Sequence, residues 1–400
     1  MSAQSPLSMM QPRRPPVRPR RGPPPGRRLW RFFLLAAVVV ALPIGWTALW
    51  SYAASIANEA LSGWLNREAA LGRVYACGSR SIGGYPFGIV IHCDKASAAF
   101  KSNRPPFDVS AGDFTFSAQV FRPTLLNGEI SAPVTLADPG QGAAFVANWS
   151  TAWLTLLGLP PEPERVTVDL TKPRLDRTAG PNAGMIFQAD RLEVDGRIIA
   201  GSARRNPVIE ASAKVTAALA PSFHLLLAEP LQGEIDAIMR GFKDFQPKPC
   251  SVLFRDMQAS GGGIDIKTLH LARSDAALLG TGTLTINASG RLEGELRVTI
   301  AGVENIVPLL GVDQLIGQGI DRLTGGAGSP AQGLGALDRL LPGLGGVVRE
   351  GASAGLIETI KRMGEPTKLD GKPAVALPLR VTDGIVYVGI ITVAAVPALF

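Results

Sequence analysis

Three cysteines, three histidines and one serine are the residues whose types and spacing could carry chemistry in this chain. Cys77 and Cys93 flank the turn Gly83-Gly84-Tyr85-Pro86-Phe87, with His92 beside the second cysteine. Such a pair can chelate a metal, cycle between thiol and disulfide, or staple a loop. Chelation needs further ligands, and no CxxC, HxxH or HExxH spacing is present. On a strand His92 points away from the face that carries Cys93. Redox catalysis has no CxxC to support it. The alternating run Ile89, Ile91, Cys93 puts Cys93 on an inward strand face, so the two cysteines are expected to meet inside a hairpin as a disulfide. Cys250 is left over and reads as a free buried thiol, with an intermolecular link as the alternative.

The stretch Gly351-Ala352-Ser353-Ala354-Gly355 spells GxSxG, the nucleophile elbow of serine hydrolases. That elbow needs a buried strand before the serine and a histidine after it. Here GGVVRE precedes it, and His92, His224 and His270 all come earlier in the chain. His224 and His270 sit among apolar residues and read as core or edge histidines. The acid pairs Glu234/Asp236 and Glu293/Glu295 are two residues apart on polar strand faces and read as solvated side chains. There is no P-loop and no GxGxxG. The chain is therefore read as non-enzymatic, with no catalytic, cofactor-binding or metal residues.

The compartment follows from where the charge lies along the chain. Residues 1–58 contain Arg13, Arg14, Arg18, Arg20, Arg21, Arg27, Arg28 and Arg31, with no lysine and no acid. Of the net +7, nothing positive remains in the body, so a nucleic-acid surface is not expected. From Phe32 to Asn58 there is no charged side chain, and 32–50 as a helix is long enough to cross a bilayer. Arginine on one flank and Trp46, Trp50 and Tyr52 toward the other predict a cytosolic N-terminus and an exported body. The run exceeds the h-region of a signal peptide, which favours an uncleaved anchor over cleavage at Ser55-Ile56-Ala57. Proline- and arginine-rich residues 1–28 cannot bury a core and are expected to be a disordered cytosolic tail.

Behind the anchor, Ala53–Leu71 keeps helical composition, with Ile56, Ala60, Trp64 and Leu71 on one face, and Gly72 ends it; 29–71 is thus one anchor and stalk helix. Period-two patterns follow at 166–170, 192–195, 231–241 and 264–272. In GTGTLTINASGRLEGELRVTIAG, residues 280–302, Leu284, Ile286, Leu292, Leu296, Val298 and Ile300 alternate with polar residues around a Ser289-Gly290 turn, predicting a long hairpin. Near the C-terminus AVALPLRV and GIVYVGIITV predict two strands joined at Asp383-Gly384. Helices are expected at 145–159, from Trp149, Trp153, Leu156 and Leu157, and as amphipathic segments within 303–363 that cap the sheet. The Pro- and Gly-rich stretch 246–263 divides the body into two β-rich regions, 72–245 and 246–400. Phe400 after alternating strands would suit an outer-membrane barrel, but Pro397 breaks the last strand and the anchor retains the chain in the inner membrane. The fold class is therefore mainly β with helices: a transmembrane helix, then an antiparallel, curved sheet or groove. A one-faced apolar sheet must be covered by helices, another sheet or lipid.

Four separated segments, GRVYACGSRSIGGYPFGIVIHC, LLLAEPLQGEIDAIMRGFKDFQPKP, GTGTLTINASGRLEGELRVTIAG and ALPLRVTDGIVYVGIITVAAVPALF, together resemble the proteobacterial proteins grouped as domain of unknown function 2125, over about residues 30–400. The resemblance implies a bacterial inner-membrane-anchored envelope protein and supplies no catalytic residues. The glycine and apolar rhythm at 264–302 is similar to AsmA-type envelope proteins, whose β-grooves are associated with lipid movement or outer-membrane homeostasis. The expected role is holding lipid in an apolar groove lined by Leu284, Ile286, Leu296 and Val298, with the inner membrane, lipid or envelope proteins as partners. The alternative is a scaffold whose sheet is filled by its own helices.

Overall fold

The computed structural model describes residues 26–102, 106–138, 142–159, 162–180, 183–223, 227–245, 248, 250–306, 352–389 and 391–400. The chain forms two compact units, one ending at Ser55 and the other running from Ile56 to Phe400. Helix α1 (Gly26–Ala70) supplies the described part of the first unit, and its large apolar side chains there, Phe32, Phe33, Leu42 and Ile44 among them, are exposed. Trp30–Ala70 is long and apolar enough to cross a membrane. Pro43 lies inside the helix, and the Thr47 hydroxyl donates back to its carbonyl at 2.7 Å. The predicted tail at 1–28 lies almost wholly outside the described residues.

In the second unit α1 ends where Gly72 takes a left-handed φ of 79°, and antiparallel strands follow. Among the described residues they make a seven-stranded and a sixteen-stranded sheet, both open at the edges. The two are leaves of one meander. The chain runs β1 (Arg73–Ala76), β2 (Ser79–Gly83), β3 (Gly88–Asp94), β4 (Ser97–Phe100), β5 (Phe107–Ser110), β6 (Phe114–Gln119) and β7 (Arg122–Ile130). It continues as β8 (Val134–Asp138), β9 (Gly142–Asn148), β10 (Thr151–Leu157), β11 (Arg165–Thr171), β12 (Arg174–Arg177), β13 (Gly184–Gln188) and β14 (Arg191–Ser202). The small leaf has the order β1-β4-β5-β8-β9-β12-β13, and the large one begins β2-β3-β6-β7-β10-β11-β14. Each member of the first order is joined to its counterpart in the second through two or three residues, so the strands turn a common corner. Left-handed Lys95 and Lys172, both at φ 50°, make two of these bends. The ladder is stitched across the corner by Gly78 N–H to Asp94 O at 2.8 Å and Ala96 N–H to Gly112 O at 3.1 Å.

The large leaf then continues alone through β15 (Arg205–Ala218), β16 (Leu231–Arg240), β17 (Gly263–Ala272), β18 (Ala277–Ile286), β19 (Leu292–Ala301), β21 (Lys372–Thr382), β22 (Ile385–Val388) and β23 (Ile391–Ala395), with β20 (Glu365–Leu369) pairing β21. The 280–302 hairpin is β18–β19, with Ile286 opposite Leu292 and Gly290 at φ 74° in its turn. Asp383 and Gly384, at φ 51° and 75°, form the left-handed pair that a tight hairpin between β21 and β22 requires. The segment 246–263 contains α2 (Cys250–Ala259), while β16 and β17 on either side of it pair directly. α3 (Val303–Ile306) and α4 (Ala352–Met363) are the described helices of 303–363; the segment between them lies outside the described residues.

Two expectations are corrected. Residues 145–159 hold β9 and β10, not a helix: Trp149 and Trp153 have helical spacing, but Trp149 sits in the corner and donates its indole N–H to Ile130 O at 2.8 Å, while Thr151, Trp153 and Thr155 alternate along β10. The run GIVYVGIITV is two strands, because Gly389 at φ 59° reverses the chain and β22 pairs antiparallel with β23. Phe400 closes no barrel. Its ring lies 5.2 Å from the Arg255 guanidinium and joins the cluster under α2.

Candidate functional site

The site is built at the corner where the meander begins. Gly84, at φ 98°, turns β2 into β3; a Cβ there would lie 2.8 Å from the Gly88 carbonyl. The tight turn fixes the register that sets Ile82 opposite Ile91 and Arg80 opposite Cys93. Cys77, in the corner between β1 and β2, is disulfide-bonded to Cys93 with a Cα separation of 5.5 Å. Cys93 is fully buried.

Residues 61–68 of α1 are tied against this corner. Glu68 and Arg73 form a buried double hydrogen bond, with Nη2 to Oε1 at 3.0 Å. The Trp64 ring lies 5.0 Å from Tyr75, whose ring meets Phe100 edge-on, and Phe100 stacks on Phe107. The packed face is Leu61, Trp64 and Leu65, at i, i+3 and i+4. Of the residues expected on one face, Ile56, Ala60 and Leu71 are exposed, and Trp64, though it meets Tyr75, keeps 40% of its surface exposed.

Between helix and corner lies a cavity of about 600 Å³. Its walls are Leu61, Trp64 and Leu65 from the helix, Tyr75, Ala98 and Val109 from the small leaf, and Ile91, Phe114 and Phe116 from the large leaf, with both cysteines of the disulfide in the lining. Arg80 is the charged residue of the lining, and no carboxylate joins it there. A volume of this size and an apolar lining suit a small amphiphile.

The cavity opens a longer feature. Register partners run Ile91, Phe116, Gly128, Leu154, Val168, Val194, Ala213, Ile235, Leu269, Gly280, Val298 and Leu377, from β3 to β21. Partners directly opposite each other share a face, so one row of the inward face is apolar or glycine throughout. The neighbouring outward row reads His92, Thr115, Glu129, Trp153, Asp169, Glu193, Lys214, Glu234 and His270. Cover along the apolar row is uneven. Val298, 3% exposed, and Leu377 are enclosed with Val303 of α3 and Ile360 of α4, whereas Val194 is 38% exposed.

The four residues expected to line a groove are thereby located. Leu296 packs against the Val298 cluster, and Ile286 lies in a second cluster with Met257 of α2, Phe242 and Ile209. Leu284 is half-buried on the same inward face. Two of the four therefore lie under α3 and α4, and one under α2.

The remaining chemical candidates are placed as follows. His92, Asp94 and Asp113 bring ligand-type atoms within 4.8 Å of one another at the corner. Their valences are used locally: His92 Nδ1 is 2.9 Å from Thr115 Oγ1, its Nε2 is 2.6 Å from Asp94 Oδ1, and the Ser79 hydroxyl donates to the other Asp94 oxygen. That hydroxyl, followed by His92 and Lys95 and opposed by desolvation, holds the Asp94 carboxyl below the usual range. His270 pairs with Asp370 at 3.0 Å, and His224 lies outside the described residues. Ser353 falls in the first turn of α4. Glu234 is the outward partner of Lys214, and Glu293 accepts from Asn287 Nδ2 at 3.0 Å. Cys250 is free and exposed, not buried as expected, because it is the first residue of α2, two turns before the Met257 that the helix buries.

The sequence could not announce the cavity, because its walls come from four stretches between residues 61 and 116 that only the corner brings together. Arg80 had a readable signal: it is the one cation on a strand whose other inward residue is Ile82.

Compared with known proteins, residues 50–397 match the family described as uncharacterized protein conserved in bacteria, DUF2125. No curated protein and no solved structure matches the chain, so the AsmA-type likeness receives no support from them. The chain belongs to the DUF2125 family of bacterial proteins.

Proposed function

We propose that this protein is a non-enzymatic, single-pass inner-membrane protein whose periplasmic body holds acyl chains along the apolar inward face of its folded sheet, in the service of envelope maintenance. The observation that carries the reading is the unbroken apolar row from Ile91 to Leu377 that begins in the cavity beside Leu61 and Trp64. Its middle, from Leu154 to Ile235, is half-buried or exposed and has no described helix packed on it. The disulfide favours an oxidising compartment, and the arginine-only flank favours a cytosolic N-terminus. Lipid extraction of the full-length protein, purified in detergent and analysed by mass spectrometry, tests it. A retained, reproducible lipid is expected; its absence, with both leaves closed on each other, would remove the reading.

A second reading, a scaffold for an envelope partner, is favoured by one observation. Val298, Leu377 and Ile286 are covered by the chain's own helices, so that end of the sheet is self-filled.

A further inference from the structure

The cavity at the corner combines an apolar interior with one unpaired cation. Arg80 lies on edge strand β2, on the inward side opposite Cys93, and its side chain reaches the cavity lining. Among the described residues it has no hydrogen-bond or ion-pair partner. The acids nearby in sequence are engaged elsewhere: Asp94 with Ser79 and His92, and Glu68 with Arg73. Most other arginines on these strands have a carboxylate: Arg165 has Asp195, Arg174 has Asp176, Arg191 has Asp169 and Arg197 has Glu210. Tyr75 and Ser97 are the other polar side chains of the lining apart from the disulfide.

We infer that the ligand of this cavity is an acyl chain bearing an anionic head, with the tail between Leu61, Trp64 and Phe116 and the head paired with the Arg80 guanidinium. This rests on the acyl-binding reading above and adds the chemistry of the head. A guanidinium at the rim of a low-dielectric pocket offers paired N–H donors to a carboxylate or a phosphate monoester. A neutral head gains only a weaker hydrogen bond from that arrangement, and a cationic head is repelled. The exposed position of Arg80 means that its substitution leaves packing intact.

The test uses the full-length protein in phosphatidylcholine nanodiscs and a diazirine-bearing palmitate, cross-linked and mapped by peptide mass spectrometry. Palmitate, hexadecyl phosphate and hexadecanol are the competitors; the first two separate a carboxylate head from a phosphate head. Adducts are expected in the peptide carrying Ile91 to Phe116. Either or both anionic competitors should displace the probe about tenfold better than hexadecanol. Arg80→Gln should abolish that preference while leaving hexadecanol competition unchanged, and Arg80→Lys should keep part of it. If hexadecanol competes as well as both anions in the wild type, the anionic head is wrong while acyl binding stands. If no probe labels the cavity peptide, acyl binding at this site fails as well.

Discussion

Arg80 and Cys93 face each other across the β2–β3 pair, and Cys93 is bonded to Cys77 in the neighbouring corner. The cation and the covalent tie of the cavity lining are therefore set by one register. The tie closes a loop of 16 residues, for which the chain-entropy account gives about 3 kcal/mol. Cys77→Ser or Cys93→Ser should lower the free energy of unfolding by about that amount in denaturant titrations. Under non-reducing denaturation the wild-type protein should show one free thiol, Cys250. Finding three would reject the staple.

Glu68 and Arg73 join the end of α1 to β1, and both side chains are largely buried. Removing one partner strands the other charge, which typically costs about 3–5 kcal/mol. Glu68→Ala and Arg73→Ala should each destabilise strongly, and the double variant should cost much less than their sum. Additive losses in a double-mutant cycle would show that the helix is held by its apolar contacts alone.

The apolar row predicts two classes of substitution. Leu377, enclosed with Val298 and Ile360, should cost about 2–5 kcal/mol as Leu377→Ala. Val194, on the same row but exposed, should cost about 0.5 kcal/mol or less as Val194→Ala. Equal losses at both positions, read from urea midpoints, would mean that the middle of the row is covered as fully as its end.

Several carboxylates fix the acid limb of stability. Asp265 is held low first by the hydrogen bond from Arg240, Asp275 by that from Arg273, and Asp176 by that from Arg174. Because these folded values lie below the ordinary 3.8, the stabilisation is complete above that value and is lost as pH falls through the depressed ones. Urea midpoints should therefore change little on this account between about pH 7 and 5, and drop below about pH 4. Asp275→Asn should shallow the drop. A loss concentrated above pH 5 would assign the acid limb to other groups.

The strands of the large leaf could be read from alternation wherever a turn residue punctuated them, as at Ser289-Gly290 and Asp383-Gly384. The Asp370-Gly371 turn between β20 and β21, with φ of 50° and 75°, carried the same signal. The corner could not be read. A strand that passes from one leaf to the other keeps its alternation on both sides, and a two-residue bend at Lys95-Ala96 or Lys172-Pro173 looks like an ordinary irregularity. The helical spacing of Trp149 and Trp153 misled for the same reason, since a corner residue is counted with the strand that follows it. Apolar residues on an inward face look alike whether helix or ligand covers them, which is why Val298 and Val194 separate only in three dimensions.

The central claim concerns which face meets lipid, and photo-cross-linking in cells reads it residue by residue. Benzoylphenylalanine placed singly at Ala98, Val168 and Val194 samples the inward faces, and at Thr167 and Glu193 the outward one. The account predicts lipid adducts at the first three and none at the last two. Equal lipid labelling on both faces, or protein adducts alone at the inward positions, would contradict it.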